Sequence, residues 1–280
     1  SAKVTFSATG FSSQILTVTQ EGLNKTIQVK AGGLLSALTS AELKGISDLK
    51  LTGVIDARDF RILRDSLPNL SILDLTDVKV AAYTGADGTS NYSNTYPANA
   101  IPVNAFVNPV TDKGKISLTS VELPKSIISI EHNSFKGCSG ITSIKIHSSV
   151  TTIHYNAFAN CTGLASVNIP PSITAMDNGA FINSGTMLSV DAGNLTYSSL
   201  DGVLFNKDKT TLIYCPTSKS GNYSIPESVY QIEYGAFQSC RNLTNINIPA
   251  SVAFVSGSAF NNCTALLSVD SNNQNYSGID

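Results

Sequence analysis

Residues 149–164 read SVTTIHYNAFANCTGL, and this frame occurs five times along the chain. Each copy has a phenylalanine at its centre, and the five central residues are Phe135, Phe158, Phe181, Phe237 and Phe260. Their spacing is regular with a 23-residue period, except that the step from Phe181 to Phe237 is more than twice as long. A unit this short cannot bury its own apolar face, so neighbouring units must stack into a solenoid with one shared core.

A cysteine column accompanies the phenylalanine column. Three residues after the central Phe, four of the five copies carry Cys138, Cys161, Cys240 or Cys263, and the remaining copy carries Ser184. Disulfides between adjacent coils are one interpretation, since stacking brings equivalent positions close together. A zinc site is another, but a linear column does not supply four convergent ligands. We therefore predict reduced, buried thiols that form the structural core together with the five phenylalanines.

Each copy also contains a short segment with the alternation typical of a β-strand. Residues 118–124 read LTSVELP, and the pattern returns at 141–147 (ITSIKIH), 164–170 (LASVNIP) and 243–249 (LTNINIP). Alternation turns Val121 and Leu123 towards the core and leaves the intervening side chains on the outer face. We call these outward residues the contact face: Ser120, Glu122, Ser143, Lys145, Ser166, Asn168, Asn245 and Asn247.

The sequence therefore predicts an α/β, mostly β fold, a right-handed solenoid of 23-residue repeats with a β-rich N-terminal cap. Four regions are expected: a cap over 1–30, helix-containing leucine-rich units over 31–80, a polar loop insertion over 81–104, and the repeats over 105–280 with a hairpin insertion at 189–220. Helices are expected at 34–43 and at 56–67 (DARDFRILRDSL), where Phe60, Leu63 and Leu67 share one helical face.

The hairpin insertion explains the single long step between central phenylalanines. Apolar residues at 204–205 and 212–214 flank a polar turn at 206–209. The opening of the insertion, residues 190–201, returns in residues 269–280, so that Asp280 is the equivalent of Asp201. We therefore expect the natural fold to continue beyond Asp280, or a partner to cover Leu266 and Val269, because an open solenoid end exposes core.

The turns offer few side chains suited to chemistry. His132 and His154 lie at neighbouring turn positions beside Glu131 and Asp177, and we expect ordinary solvated residues there rather than a metal site. No nucleophile elbow, phosphate-binding loop or paired catalytic carboxylates occur in the sequence. We expect no catalytic residue, no metal and no cofactor.

Aromatic side chains in the turns are the second candidate surface. We call it the turn column, and it consists of His132, Tyr155 and Tyr234. Contact with a ligand is one interpretation of this column, and packing within the turn is the other. The chain has no tryptophan, which weakens a carbohydrate-binding interpretation because such sites commonly use aromatic platforms.

Composition restricts the class of partner. The net charge is −2 and only 14% of residues are charged, so the basic footprint of a nucleic-acid-binding protein is missing. No apolar run reaches the 18 or so residues of a transmembrane helix. A surface rich in Ser, Thr and Asn is typical of secreted proteins.

The motif S-V-x-x-I-x-x-x-A-F-x-x-C-x-x-L with its 23-residue period resembles the BspA-like leucine-rich repeat family (type 5) over about residues 98–280. Residues 49–80 resemble the leucine-rich units often found upstream in proteins of Bacteroides-type bacteria. The resemblance implies a non-enzymatic protein at the bacterial outer surface, secreted or lipid-anchored. Some relatives are adhesins for host extracellular matrix proteins such as fibronectin or fibrinogen, so it implies a protein ligand. A glycan-binding or scaffold module on the bacterial surface is the alternative.

Overall fold

The computed structural model describes residues 2–6, 14–18 and 22–276, and its fold is a mostly β solenoid of about 11 turns with 23-residue spacing. This confirms the fold class predicted from the repeat. At the N-terminus β1 (Ala2–Phe6) pairs antiparallel with β2 (Gln14–Val18). The division of the chain into a cap, upstream units, a loop insertion and repeats stays a prediction.

Long parallel strands and two short helices make up the upstream coils. In chain order these elements are β3 (Leu23–Val29), a 3₁₀ turn (Leu35–Ala37), α1 (Ser40–Gly45), β4 (Ile46–Ile55), α2 (Ala57–Asp65) and β5 (Ile72–Val80). Helix α2 forms where the apolar spacing indicates, and it buries Phe60 and Leu63 against the sheet core.

The continuous helix predicted over residues 34–43 was wrong, because Thr39 begins a new helix inside that range. The Thr39 hydroxyl accepts a hydrogen bond from the Glu42 N–H (3.3 Å), and the Glu42 carboxylate accepts one from the Thr39 N–H (2.8 Å). This reciprocal pair is a capping box, which satisfies helix-start donors that would otherwise be unpaired. Residue 39 therefore takes an extended conformation and separates the 3₁₀ turn from α1.

Short strands connect the upstream units to the repeats. They are β6 (Tyr83–Thr84), β7 (Thr95–Tyr96), β8 (Ala100–Ile101), β9 (Val107–Asn108) and β10 (Lys113–Gly114). Arg64 of α2 holds this segment, because its Nη1 donates to the carbonyl oxygens of Thr89 (2.7 Å), Asn104 (2.9 Å) and Val107 (3.1 Å). The polar stretch after residue 80 is thereby packed onto the solenoid.

The repeats form two columns of parallel strands. Their strands are β11 (Ser120–Glu122), β12 (Ser129–Ile130), β13 (Ser143–Ile144), β14 (Thr152–Ile153), β15 (Ser166–Ile169), β16 (Ala175–Met176) and β17 (Met187–Val190). In the first column β3, β4, β5, β11 and β13 form one sheet, which is followed by the pair β15–β17. In the second column β8, β12, β14 and β16 are neighbours.

The phenylalanine and cysteine columns lie inside the coils. Rings of Phe135 and Phe158 stack with centroids 5.4 Å apart, and Phe158 and Phe181 follow at 5.1 Å. Each core thiol points at the carbonyl of the coil before it, as in the 3.1 Å contact from Cys161 Sγ to Phe135 O. All five cysteines of the chain are free thiols, and only Cys263 is partly exposed.

Two columns of left-handed residues flank every central phenylalanine. Two positions before and two positions after it, φ lies between 56° and 88° in all five copies. The residues concerned are Asn133, Gly137, Asn156, Asn160, Gly179, Asn183, Gly235, Ser239, Ser258 and Asn262. Asn and Gly tolerate this conformation best. The Asn and Gly residues on either side of each Phe therefore favour the tight turn, and the apolar pattern alone did not reveal them.

The insertion is a three-stranded meander between two cores. Its strands are β18 (Tyr197–Leu200), β19 (Val203–Asn206) and β20 (Thr211–Tyr214), joined antiparallel. Leu204 and Tyr214 pack in the upstream core, whereas Val203, Phe205 and Leu212 pack in the downstream core. The meander therefore acts as a partition with one face towards each half of the solenoid.

Ser184 is accommodated by this partition. Its hydroxyl lies 3.2 Å from Cys161 O and also bonds the Thr186 hydroxyl. Tyr214 closes the phenylalanine column above Phe181 with centroids 6.1 Å apart, and its hydroxyl donates to Ser184 O (2.6 Å) and Thr186 O (3.1 Å). The residue that interrupts the cysteine column thus marks where the insertion docks.

Beyond the partition the two columns resume. The strands are β21 (Gly221–Ser224), β22 (Gln231–Ile232), β23 (Leu243–Ile248), β24 (Phe254–Val255) and β25 (Leu266–Val269). The last described coil is open: Phe260 is half-buried, unlike the other central phenylalanines, and Leu266 is 74% exposed.

Candidate functional site

The contact face lies on the outer side of the first strand column. Six of its eight residues are exposed, and Ser120 and Asn245 are half-buried. Ser120 pairs in register with Ser143 on the next coil, while the intervening Val121 is buried. The partition divides the face into an upstream part, which contains Ser120 to Asn168, and a downstream part, which contains Asn245 and Asn247.

Charged residues extend the upstream part beyond the sequence-predicted set. Glu122 is in register with Asp74 of β5, and Asp74 is in register with Lys50 of β4. Lys50 Nζ lies 2.8 Å from Asp74 Oδ2 and 3.2 Å from Asp77 Oδ2. The hydrogen bonds that Lys50 donates, first to Asp74 and then to Asp77, raise the pKa of Lys50. The alternating LKL and LDL segments at residues 49–51 and 73–75 were the signal that could have placed these residues on the face.

The downstream part is an uncharged ladder of amides and hydroxyls. Asn245 Nδ2 donates to Asn247 Oδ1 (2.6 Å), and Asn247 Nδ2 donates to Ser224 Oγ (3.0 Å). Ser268 Oγ donates to Asn245 Oδ1 (2.9 Å). A shallow groove beside the ladder is lined by Ser224, Asn247 and Ser268, with Glu227 and Asp270 at its edge. Most of these polar groups are already paired with each other.

The turns that carry the turn column remain in contact across the insertion. Tyr155 is 39% exposed and Tyr234 is 42% exposed, so neither ring is packed away. The Tyr155 ring lies over Gly179, where an added Cβ would come within 2.9 Å of it. Tyr234 comes after the insertion in the chain, but it lines the same cavity as Gly179, and its neighbour Glu233 accepts a hydrogen bond from Asn178 Nδ2 (2.7 Å). The structure thus places each tyrosine partly in contact with the turn and partly in solvent.

Histidine and carboxylate side chains from three successive coils meet beside the turn column. One ligand atom from each of His132, His154 and Asp177 lies within 4.8 Å of the others. His154 Nδ1 is 3.2 Å from Asp177 Oδ2, and His154 Nε2 is 3.8 Å from Glu131 Oε1. The sequence placed these residues side by side and favoured ordinary solvated side chains, and the coil geometry brings their ligand atoms together.

The buried thiols of the cysteine column are not available for chemistry. Burial raises the pKa of Cys138 to about 12, and burial likewise raises the pKa of Cys161. Thiols are reactive as thiolates, so both side chains stay protonated and inert at neutral pH. Within residues 22–276 no helix has the length and apolar composition needed to cross a membrane.

Comparison with known proteins agrees with the repeat motif. The family profile described as BspA type leucine rich repeat region matches residues 100–220 and 213–280, with six copies. Together these ranges span well over half of the chain. A search of curated protein sequences gave no match.

Several solved structures share the fold. The pneumococcal vaccine antigen PcpA is 20% identical with a TM-score of 0.59, and the match covers 81% of this chain and 51% of the antigen chain. A leucine-rich repeat protein from Eubacterium ventriosum is 19% identical with a TM-score of 0.56, covering 96% of this chain and 66% of that one. A leucine rich cell surface protein from Faecalibacterium prausnitzii is 19% identical with a TM-score of 0.54, covering 96% and 74%.

Proposed function

Because the chain belongs to the BspA-type leucine-rich repeat family, we propose that it is a non-enzymatic binding protein of a bacterial surface that contacts host proteins as an adhesin. The chain spans 51% of the pneumococcal antigen and 66% of the Eubacterium protein. Adhesion by a whole protein that contains these repeats is therefore proposed together with the binding role of the repeats. We also propose that the protein lies outside the cell, either secreted or held by a lipid anchor. The Faecalibacterium relative is described as a cell surface protein, which supports this location.

The observation that carries the proposal is the charged upstream part of the contact face. Lys50, Asp74 and Glu122 lie in register on three neighbouring strands, and Lys145 directly follows β13. Parallel strands stacked in register give this face a regular surface. Solenoids generally bind proteins through such extended surfaces. Charges of both signs on one surface select a partner with the complementary pattern and accelerate its association. An extracellular matrix protein of the host is the partner class we expect.

A second function, glycan binding or a scaffold role on the bacterial surface, is favoured by one observation. The downstream ladder and its groove present amide and hydroxyl groups, the groups that hydrogen-bond to sugars. These groups are largely paired with each other, so a glycan would have to replace existing hydrogen bonds. We therefore place this function second.

Binding of the purified chain to a panel of matrix proteins and to a glycan array distinguishes the two functions. The upstream variant is Glu122→Lys with Lys145→Glu, and the matched downstream variant is Asn245→Ala with Asn247→Ala. We expect a matrix-protein signal that the upstream variant weakens at least about tenfold, roughly 1.4 kcal/mol, and the downstream variant leaves unchanged. Glycan binding lost only in the downstream variant would establish the second function instead. If neither array gives a signal, the proposal is wrong.

A further inference from the structure

The cluster of His132, His154 and Asp177 has the composition of a transition-metal site. Imidazole nitrogen suits Zn²⁺ and related borderline ions, whereas Ca²⁺ and Mg²⁺ prefer oxygen ligands alone. The side chains are accessible, because His132 is exposed and the His154 and Asp177 side chains are 28% and 44% exposed. An ion can reach them without opening the fold.

The backbone holds the three coils at a fixed spacing beneath these side chains. The N–H of Glu131 donates to Ile101 O (3.0 Å), that of His154 to Ile130 O (2.9 Å), and that of Asp177 to Ile153 O (3.0 Å). Each bond joins one coil to the coil before it. A metal site on such regular, hydrogen-bonded elements keeps its geometry better than one on free loops.

The distances already approach those of a coordination sphere. His154 Nδ1 and Asp177 Oδ2 are 3.2 Å apart, close to the ligand separation of about 3.3 Å that tetrahedral bonds of about 2.0–2.1 Å impose. The third ligand atom, from His132, lies within 4.8 Å of the other two. Rotation of the exposed His132 ring can therefore complete the sphere without moving the backbone.

Carboxylates lie on both sides of the His154 ring. Asp177 is on its Nδ1 side, and Glu131 is on its Nε2 side. A histidine that binds metal through one nitrogen usually donates its other N–H to a carboxylate or carbonyl, which fixes the ring and its tautomer. The carboxylates are themselves oriented: Asp177 Oδ2 accepts the Tyr155 N–H (3.0 Å), and Glu131 Oε1 accepts the Ser129 hydroxyl (2.6 Å).

We propose that His132, His154 and Asp177, supported by Glu131, bind one Zn²⁺ ion at the edge of the solenoid. Three protein ligands leave a fourth position for water or for a group from a binding partner. The ion would join three successive coils and would add a positive charge beside the turn column. This inference is independent of the proposed function, since it requires no particular partner.

Zinc binding is measured on the full 280-residue chain after chelator treatment and buffer exchange, by calorimetric titration with ZnCl₂. Co²⁺ replaces Zn²⁺ in a parallel spectroscopic titration, because the five cysteines are the rival ligands and thiolates give a strong charge-transfer band. His154→Ala removes the central ligand. Asp177→Asn keeps an oxygen for the Tyr155 N–H but loses the carboxylate charge, so it serves if His154→Ala does not fold.

Two control variants match these changes. His147→Gln removes the third histidine, whose Nε2 bonds Leu123 O away from the cluster (3.2 Å). Glu227→Gln alters a carboxylate that lines the groove beside the downstream ladder rather than the turn column. We expect one Zn²⁺ per chain, an affinity at least about tenfold lower in the cluster variants, unchanged affinity in the controls, and a Co²⁺ spectrum without a thiolate band.

Any of three results would overturn the proposal. One is the absence of saturable Zn²⁺ binding to the unmodified chain. Another is equal affinity in the unmodified chain and in folded His154→Ala or Asp177→Asn, with folding judged by circular dichroism. The third is a thiolate band or a loss of binding in His147→Gln, because either one would locate the ion elsewhere.

Discussion

Replacing Phe158 by alanine should remove one layer from the middle of the aromatic column. The ring is 1% exposed and has a partner on each side: Phe135 at 5.4 Å with an interplanar angle of 3°, and Phe181 at 5.1 Å. Truncation of a fully buried Phe costs about 3–5 kcal/mol from lost transfer energy and an unfilled cavity. The upper part of that range applies, because the flanking coils are tied by backbone hydrogen bonds and cannot collapse into the gap.

Phe260→Ala is the matched control at the open end of the column. Among the described residues this ring stacks on Phe237 alone (5.2 Å), and it is half-buried. A cost of about 1–2 kcal/mol is therefore expected, roughly half that of the central substitution. Urea unfolding followed by circular dichroism gives the free energy of each transition. A repeat array can unfold in parts, so the transition that each variant shifts must be identified. A cost below about 1 kcal/mol for Phe158→Ala, or equal costs for both, would refute the layered-core reasoning.

Three further predictions concern thiols and the partition. Thiol titration of denatured, unreduced protein should count all five cysteines, and a lower count would reveal disulfides. In native protein Cys263 should react first, because it alone is partly exposed. Burial raises the pKa of Cys161, so above about pH 9 this thiol is deprotonated in the unfolded state while it stays protonated in the folded state. The free energy of unfolding should therefore fall by about 1.4 kcal/mol per pH unit for this group. Cys161→Ala should lessen that slope, and an identical slope would contradict the burial. Tyr214→Phe should lower the free energy of unfolding in urea by about 1–2 kcal/mol, since Ser184 O and Thr186 O lose a buried donor. Tyr223→Phe is the control, because its buried hydroxyl has no partner among the described residues. Equal effects of the two substitutions would disprove the role given to the Tyr214 hydroxyl.

The core was predictable from the sequence because it depends only on the spacing of apolar residues along the chain. A fixed period places each inward residue against its own equivalent, so Phe135, Phe158 and Phe181 could be stacked without knowing the shape of the coil. The break at Thr39 was also encoded, as a Thr-x-x-Glu capping box inside an apolar run that suggested one helix. At Thr39 the capping hydrogen bonds therefore decide where the helix begins, although the apolar pattern extends further towards the N-terminus.

The histidine cluster and the docking of the insertion could not be read in the same way. His132 comes three positions before Phe135, whereas His154 comes four positions before Phe158. The two histidines therefore occupy different columns, and only the path of the turn shows that their side chains converge. Tyr214 and Ser184 are 30 residues apart and belong to no common repeat. Their contact depends on how the meander folds back, which is a tertiary property.

The partition has a mechanical consequence for a protein anchored at one end and loaded at the other. Since β19 and β20 give each half its own apolar core, the strain that opens one half is not transmitted through continuous packing to the second. The two halves should therefore yield one after the other under load rather than together. Optical-tweezer traces should show two separate extensions, and a single all-or-none rip would contradict this behaviour. The insertion would then confine the first extension to one half, so that the other half keeps its folded surface under load.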